Sequence, residues 1–118
     1  WRDPGTQTQA YSDFGILIQK FPDSKYKANA LQRMIYLRNM FAQHELNVAT
    51  FYFKRKMYVA AINRASYVVK NYPQAPSARL ALVVMYEANM ALGFKKAADE
   101  AFTVYRATYR TNKMDRIV

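Results

Sequence analysis

Apolar residues recur every three or four positions along most of this 118-residue chain, which is the spacing of one face of an α-helix. In residues 60–73, a rotation of 100° per residue places the apolar side chains on one arc and most polar side chains on the other. No segment shows the period of two that is typical of a half-buried strand. The pattern predicts an all-α fold with about five helices, at residues 7–20, 24–56, 58–72, 77–92 and 94–108.

The second predicted helix is long because neither Gly nor Pro occurs between Ser24 and Lys56. Apolar residues keep helical spacing through this segment, at Ala28, Leu31, Met34, Ile35 and Phe41. At 1.5 Å per residue, a continuous helix here would be about 50 Å long. A break near Gln43–His44 is the alternative.

Two segments that end in proline share one motif. A small residue lies twelve positions before each of Pro22 and Pro73, at Ala10 and Ala61, as in the second helix of a tetratricopeptide repeat. A third copy, without the proline, begins at Ala98. We therefore interpret the chain as a single domain, a fragment of a tetratricopeptide α-solenoid. Its predicted parts are the second helix of one repeat (7–22), an extended repeat (24–73), the last repeat (76–110) and a tail (111–118).

The charge balance favours an anionic partner. The chain has 18 Lys and Arg against eight Asp and Glu, a formal net charge of +10. Such an excess favours nucleic acid, a lipid surface or an acidic protein patch, and a basic domain without such a partner is the alternative. We expect no nucleic-acid partner, because the longest basic cluster is Lys54–Lys56 and no RNA-recognition motif is present.

No catalytic, metal-binding or cofactor-binding constellation is recognisable. The chain has no cysteine, which excludes disulfides and thiolate metal sites. Neighbours such as His44 and Glu45 point about 100° apart on a helix and do not orient one another. The adjacent acids Asp99 and Glu100 are expected to balance nearby lysines. We therefore predict a protein that is not an enzyme and has no cofactor.

Arg64 is the residue that most suggests a binding role. It lies at the edge of the apolar arc of the third helix, and no Asp or Glu occurs from Leu46 to Tyr86 to pair with it. Tyr67 on the polar arc and Tyr58 and Arg55 near the preceding turn accompany it, and Tyr and Arg are enriched at protein–protein hot spots. The alternative is an arginine whose methylene groups cover apolar surface.

Four segments carry a family resemblance: RDP (2–4), AYSDFGILIQKFPDSKY (10–26), VATFYFKRKMYVAAINR (48–64) and NYP (71–73). In this order, and over nearly the whole chain, they resemble the C-terminal half of the BamD family. Members of this family are tetratricopeptide lipoproteins of the outer-membrane β-barrel assembly (BAM) complex. The resemblance implies a non-catalytic scaffold at the periplasmic face of the outer membrane. Membrane association would depend only on a lipid anchor that lies outside this segment.

The resemblance also implies a partner and a site. The family's C-terminal repeats dock on a periplasmic POTRA domain of BamA, and an arginine in the stretch that matches Asn63–Arg64 pairs with an acid of that domain. The predicted protein-binding residues are Arg64, Asn63, Arg55, Tyr58 and Tyr67. The alternative function is a generic tetratricopeptide adaptor that binds an acidic or extended peptide in its groove, through residues such as Tyr52 and Lys56.

Three local features depart from a simple repeat. The chain begins at Trp1 without an initiator methionine, so we interpret it as part of a longer polypeptide. Lys56 occupies a helix turn where the repeat favours glycine, whereas Gly93 is placed to end the fourth helix in a left-handed conformation. The tail TNKMDRIV (111–118) is interpreted as disordered or as a contact surface for other lipoproteins of the complex.

Overall fold

The computed structural model describes residues 11–13, 15–16, 19–20 and 27–117. Four continuous helices follow one another: α1 (Lys27–Lys54), α2 (Tyr58–Asn71), α3 (Ser77–Ala91) and α4 (Lys95–Tyr109). Residues 11–13, 15–16 and 19–20 are also helical, and none of the described residues lies in a strand. The all-α prediction is confirmed, and the bounds of α2, α3 and α4 lie within one residue of those predicted.

The long helix α1 is continuous through Gln43 and His44, so the alternative of a break there is wrong. It ends at Lys54, two residues before the predicted end, and residues 24–26 at its predicted start lie outside the described residues. The motif residues Ala10 and Pro22 also lie outside them.

The chain divides into two compact units, residues 1–41 and residues 42–118. In the first unit, the rings of Tyr11 and Phe41 meet edge to face with their centroids 6.2 Å apart. Ala30 and Leu37 are its buried apolar residues among those described. All five predicted protein-binding residues belong to the second unit.

Small side chains let the helices of the second unit pack closely. The core joins the second half of α1 to α2 and α3 through Ala42, Leu46, Ala49, Ala61, Ala65, Val68, Ala75, Ala78, Ala81 and Val84. Ser77 Oγ, in the first turn of α3, donates a hydrogen bond of 3.0 Å to Gln43 Oε1 of α1. Because α3 packs against both α2 and α4, it is apolar around most of its circumference.

One residue just after each of the helices α1, α3 and α4 adopts the left-handed conformation. The φ angles are 63° at Lys56, 79° at Gly93 and 52° at Arg110, so the prediction for Gly93 is confirmed. Glycine adopts this conformation without penalty, whereas the Cβ of any other residue meets the neighbouring backbone. Lys56 and Arg110 therefore carry local backbone strain that Gly93 avoids.

We predict that Lys56→Gly raises the free energy of unfolding by about 1 kcal/mol, because it removes this strain. Gly93→Ala should lower it by a similar amount, since it introduces a Cβ at a positive φ. Urea denaturation followed by circular dichroism measures both changes. A Lys56→Gly variant no more stable than the wild type would show that the contacts of the lysine side chain outweigh the strain.

The tail packs against the last two helices, so the disorder alternative is wrong for residues 111–117. Met114 and Ile117 pack against the core cluster of Leu82, Val83 and Tyr105. Asp115 accepts a hydrogen bond of 2.7 Å from Arg79 Nε at Oδ2, and its backbone N–H donates to Tyr105 Oη at 3.3 Å. The composition of the tail did not reveal its partners, because Arg79 lies on α3 and Tyr105 on α4.

Acid is expected to weaken the attachment of the tail. The Tyr105 hydroxyl and the Arg79 guanidinium lower the pKa of Asp115 below its ordinary value. A carboxyl group whose pKa is lower in the folded state stabilises that state above its unfolded pKa, and the contribution is lost as pH falls through the folded value. We therefore predict that the methyl signals of Met114 and Ile117, followed by NMR, shift towards unfolded positions below about pH 4.

The matched variant Asp115→Asn keeps a polar side chain of the same size but does not titrate. Its methyl signals should therefore show no transition below about pH 4. A transition identical to that of the wild type would contradict the assignment to Asp115.

Candidate functional site

An exposed stripe on α2 forms the centre of the candidate site. Val59, Asn63 and Tyr67 follow one another at intervals of four residues, so they lie on one face of the helix over about 12 Å. Val59 is 60% exposed, Tyr67 is 48% exposed, and Asn63 is also exposed. We call these three residues the α2 stripe. The structure thus brings together two of the predicted binding residues and adds Val59, which the sequence analysis did not single out.

Arg64 lies beside the α2 stripe and has an internal partner. Its Nη1 donates a hydrogen bond of 2.9 Å to Glu45 Oε2 of α1. The prediction that Arg64 lacks an acidic partner within the chain is therefore wrong. Glu45 immediately precedes the segment Leu46–Tyr86, which contains no acid.

The helical hairpin explains this pairing. In two antiparallel helices, residues at about equal distances on either side of the turn face each other. The turn lies at Lys56; Glu45 lies eleven residues before it and Arg64 eight residues after it, so the two helices pair with an offset of three residues. An equal count outward from Lys56 reaches Val48 and not Glu45, so the register of the packed hairpin was needed to find this partner.

The ion pair orients Arg64 without burying it. The Arg64 side chain is 47% exposed and that of Glu45 is 20% exposed. The hydrogen bond to Glu45, and then its negative charge, raise the pKa of Arg64 above an already high ordinary value, so the guanidinium stays charged. A pair this accessible contributes only about 0–1 kcal/mol to stability.

The rest of the Arg64 guanidinium remains available. Among the described residues, Glu45 is its only hydrogen-bond partner, through Nη1. A guanidinium carries five N–H donors in a planar fork, so the Nε and Nη2 donors are open to a second acceptor. Arg64 can therefore hold Glu45 and an external carboxylate at the same time.

Aromatic contacts hold the other predicted residues. The Arg55 guanidinium carbon lies 3.6 Å from the centroid of the Phe51 ring, a cation–π contact on an exposed phenylalanine. The half-buried Tyr58 meets Phe53 edge to face at 5.6 Å. Tyr67 makes a similar contact with Tyr72 at 6.0 Å, so its ring is both oriented and accessible.

Tyr58 and Asn63 also line a groove of about 540 Å³, whereas Arg55, Arg64 and Tyr67 do not. Its other walls come from the α1–α2 turn, the start of α2 and the end of α3: Lys56, Met57, Val59, Ala60 and Leu92. Periodicity alone did not reveal this groove, because Leu92 is distant in sequence and Met57 lies between two helices.

Two other kinds of site are absent from the described part of the chain. No group of three His, Cys, Asp or Glu side chains there could hold a metal ion. None of the helices in that part has the length and apolar character needed to cross a bilayer.

The helices of the second unit pack as consecutive pairs, with small residues at their contacts. This packing, together with an exposed stripe on one helix, is typical of a helical-repeat protein of the tetratricopeptide type. The family model described as "YfiO: Outer membrane lipoprotein" matches residues 1–104. The chain belongs to this family of outer membrane lipoproteins.

Several relatives carry the name "Outer membrane protein assembly factor BamD". One from Xylella fastidiosa (strain Temecula1) is 40% identical over 97% of this chain and 38% of its own length. Another, from Vibrio cholerae, is 39% identical over 83% of this chain and 41% of its own length. A third, from Neisseria meningitidis serogroup A, is 34% identical over 92% of this chain and 40% of its own length. The resemblance to the BamD family is confirmed, and the chain spans about two fifths of these relatives.

Proposed function

We propose that this chain is a non-catalytic scaffold of the outer-membrane β-barrel assembly complex. It docks on a periplasmic POTRA domain of BamA at the periplasmic face of the outer membrane and so supports the folding and insertion of outer-membrane proteins. The family match and the names of the relatives, which describe an outer membrane protein assembly factor, support this role.

The exposed guanidinium of Arg64 beside the α2 stripe is the observation that carries the proposal. It is aimed by Glu45, it is 47% exposed, and two of its nitrogens are open to an external carboxylate. Tyr67 and Asn63 lie next to it on the same helix and supply an aromatic ring and an amide to the same contact. Arg and Tyr are among the residue types that dominate the energetics of protein interfaces.

The surrounding charge favours an acidic partner surface. Glu45 neutralises the charge of Arg64 in part. However, Lys54, Arg55 and Lys56 lie at the α1–α2 turn, and no acid occurs from Leu46 to Tyr86. The positive potential of this region speeds the encounter with a negatively charged patch, and Arg64 then fixes the register.

The generic alternative, an acidic or extended peptide held by first-helix residues, has weaker support. Tyr52, which that alternative requires as a groove residue, is half-buried and packs against the core cluster. Contacts with other lipoproteins of the complex are proposed for the C-terminal repeat, where Arg79, Lys113 and Arg116 line a separate basic groove beside the tail.

A calorimetric titration of the chain with the soluble POTRA region of its cognate BamA tests the proposal. We expect saturable binding to the membrane-proximal POTRA domain and none to the membrane-distal domain alone. Binding should weaken with added salt, as for an interface steered by charge. The absence of binding by a chain with a helical circular-dichroism spectrum would contradict the proposal.

A further inference from the structure

The groove at the α1–α2 turn combines an apolar floor with one basic residue, Lys56, at its rim. Met57 and Val59 are 50% and 60% exposed, and Leu92 from the end of α3 lines the same groove. Lys56 stands at its edge, directly after Lys54 and Arg55. None of the interactions that hold the second unit together explains why these apolar side chains remain in solvent.

We propose that this groove binds a segment of the partner protein that carries an apolar side chain flanked by carboxylates, and that Lys56 determines this specificity. The inference rests on the proposed function, because the segment is assigned to the POTRA domain that Arg64 contacts. It extends the interface from the α2 stripe, through the shared residues Val59 and Asn63, to the end of the hairpin.

The groove is large enough to receive an apolar side chain of a partner. A volume of about 540 Å³ has room for more than one side chain. Met57 is flexible and polarizable, so it can adapt to the shape of an inserted side chain. Covering Met57, Val59 and Leu92 would remove exposed apolar surface from water, which favours association.

The charge at the rim determines the kind of segment. Lys56 lines the groove, the cations Lys54 and Arg55 precede it without lining the groove, and no acidic residue lies near the three in sequence. A purely apolar segment would leave these charges uncompensated, whereas carboxylates on either side of the apolar anchor would pair with them. A nucleic acid would match the charge, but most of the groove is aliphatic, and its one ring, Tyr58, is half-buried and packs edge to face on Phe53.

The backbone at Lys56 points to the same role. Lys56 adopts a φ of 63°, whereas the equivalent turn after α3 uses Gly93 at 79°. A strained conformation where glycine would fit supports a functional role when the residue also lines a site, as Lys56 does. Lysine here places an ammonium group at the edge of the groove, which glycine cannot do.

Arg110 provides an internal control. It is also basic, also follows a helix and also has a positive φ, of 52°, but it does not line the groove. If Lys56 only complemented the helix dipole, Lys56→Gly and Arg110→Gly would behave alike.

The test is a set of calorimetric titrations with the soluble POTRA region. Lys56→Gly should bind about fivefold more weakly, the effect of one exposed charge pair at the upper end of its range, although its melting temperature rises. Arg110→Gly should show the same rise in melting temperature and binding within about twofold of the wild type. Lys56→Arg should retain binding, and Val59→Ser should lose about fivefold through the apolar contact.

The outcomes separate the two proposals. If the wild type binds, Arg64→Glu does not, and Lys56→Gly and Val59→Ser bind like the wild type, the groove proposal is overturned and the proposed function stands. If the wild type does not bind the POTRA region, both are overturned. Equal losses of affinity in Lys56→Gly and Arg110→Gly would show an effect of net charge and would also overturn the role of Lys56.

Discussion

Arg64→Glu is expected to weaken binding to the POTRA region of BamA by at least about 30-fold. The proposed interface pairs the open nitrogens of Arg64 with a carboxylate, and truncation of such a pair alone costs about 2–5 kcal/mol. The reversed charge also faces Glu45, at a position where the two side chains are now 2.9 Å apart. The guanidinium is nearly half exposed, so the fold should tolerate the change.

Two matched variants separate docking from the internal ion pair. The double variant Glu45→Arg, Arg64→Glu restores an ion pair within the hairpin. At position 64, however, it presents a carboxylate to the carboxylate of the partner. We expect it to recover the stability lost by Arg64→Glu and to remain unable to bind. Arg106→Glu makes the same charge change on the exposed face of α4 and should bind like the wild type. Restored binding in the double variant would show that Arg64 acts through the fold alone.

Tyr105→Ala is expected to lower the free energy of unfolding by about 3–5 kcal/mol, the usual cost of deleting a buried aromatic ring. Tyr105 is completely buried between α3 and the tail. Its hydroxyl accepts hydrogen bonds from Arg79 Nε at 3.0 Å and from the Asp115 N–H at 3.3 Å. The substitution therefore leaves a cavity and also removes the anchor of the tail.

Tyr105→Phe separates these two contributions. It keeps the ring and removes only the hydroxyl, so it should cost about 1–2 kcal/mol and release the tail without unfolding the helices. Urea denaturation measures both variants, and the Met114 methyl signal reports on the tail. Equal costs for Tyr105→Ala and Tyr105→Phe would contradict the dominant role of ring burial.

Much of the fold is predictable from the sequence because helical periodicity is a local signal. The uninterrupted segment without Gly or Pro predicted α1, and the twelve-residue spacing before Pro73 predicted how α2 presents Ala61, Ala65 and Val68 to the core. Gly93 marked the end of α3 for a similarly local reason, since only glycine is free of strain at a positive φ.

The contacts that the sequence analysis missed are those between residues on different elements. The Arg64–Glu45 pair depends on the register of the hairpin, and Leu92 reaches the groove from the far end of α3. The sequence of the tail has no helical periodicity. Its position depends on contacts with Tyr105 and Arg79, which a local pattern does not reveal. The composition indicated that a basic surface would contribute to binding. The positions of the basic residues on that surface depend on how the hairpin packs.

A charge-swap titration tests the central claim, that Arg64 contacts a carboxylate of the POTRA domain, most directly. The Arg64→Glu chain is titrated with POTRA regions in which single surface Asp or Glu residues are replaced by Arg. We expect one of these replacements to recover most of the binding that Arg64→Glu loses, while it weakens binding to the wild-type chain. Recovery by none of them, with the wild-type complex intact, would show that the interface lies elsewhere on the chain.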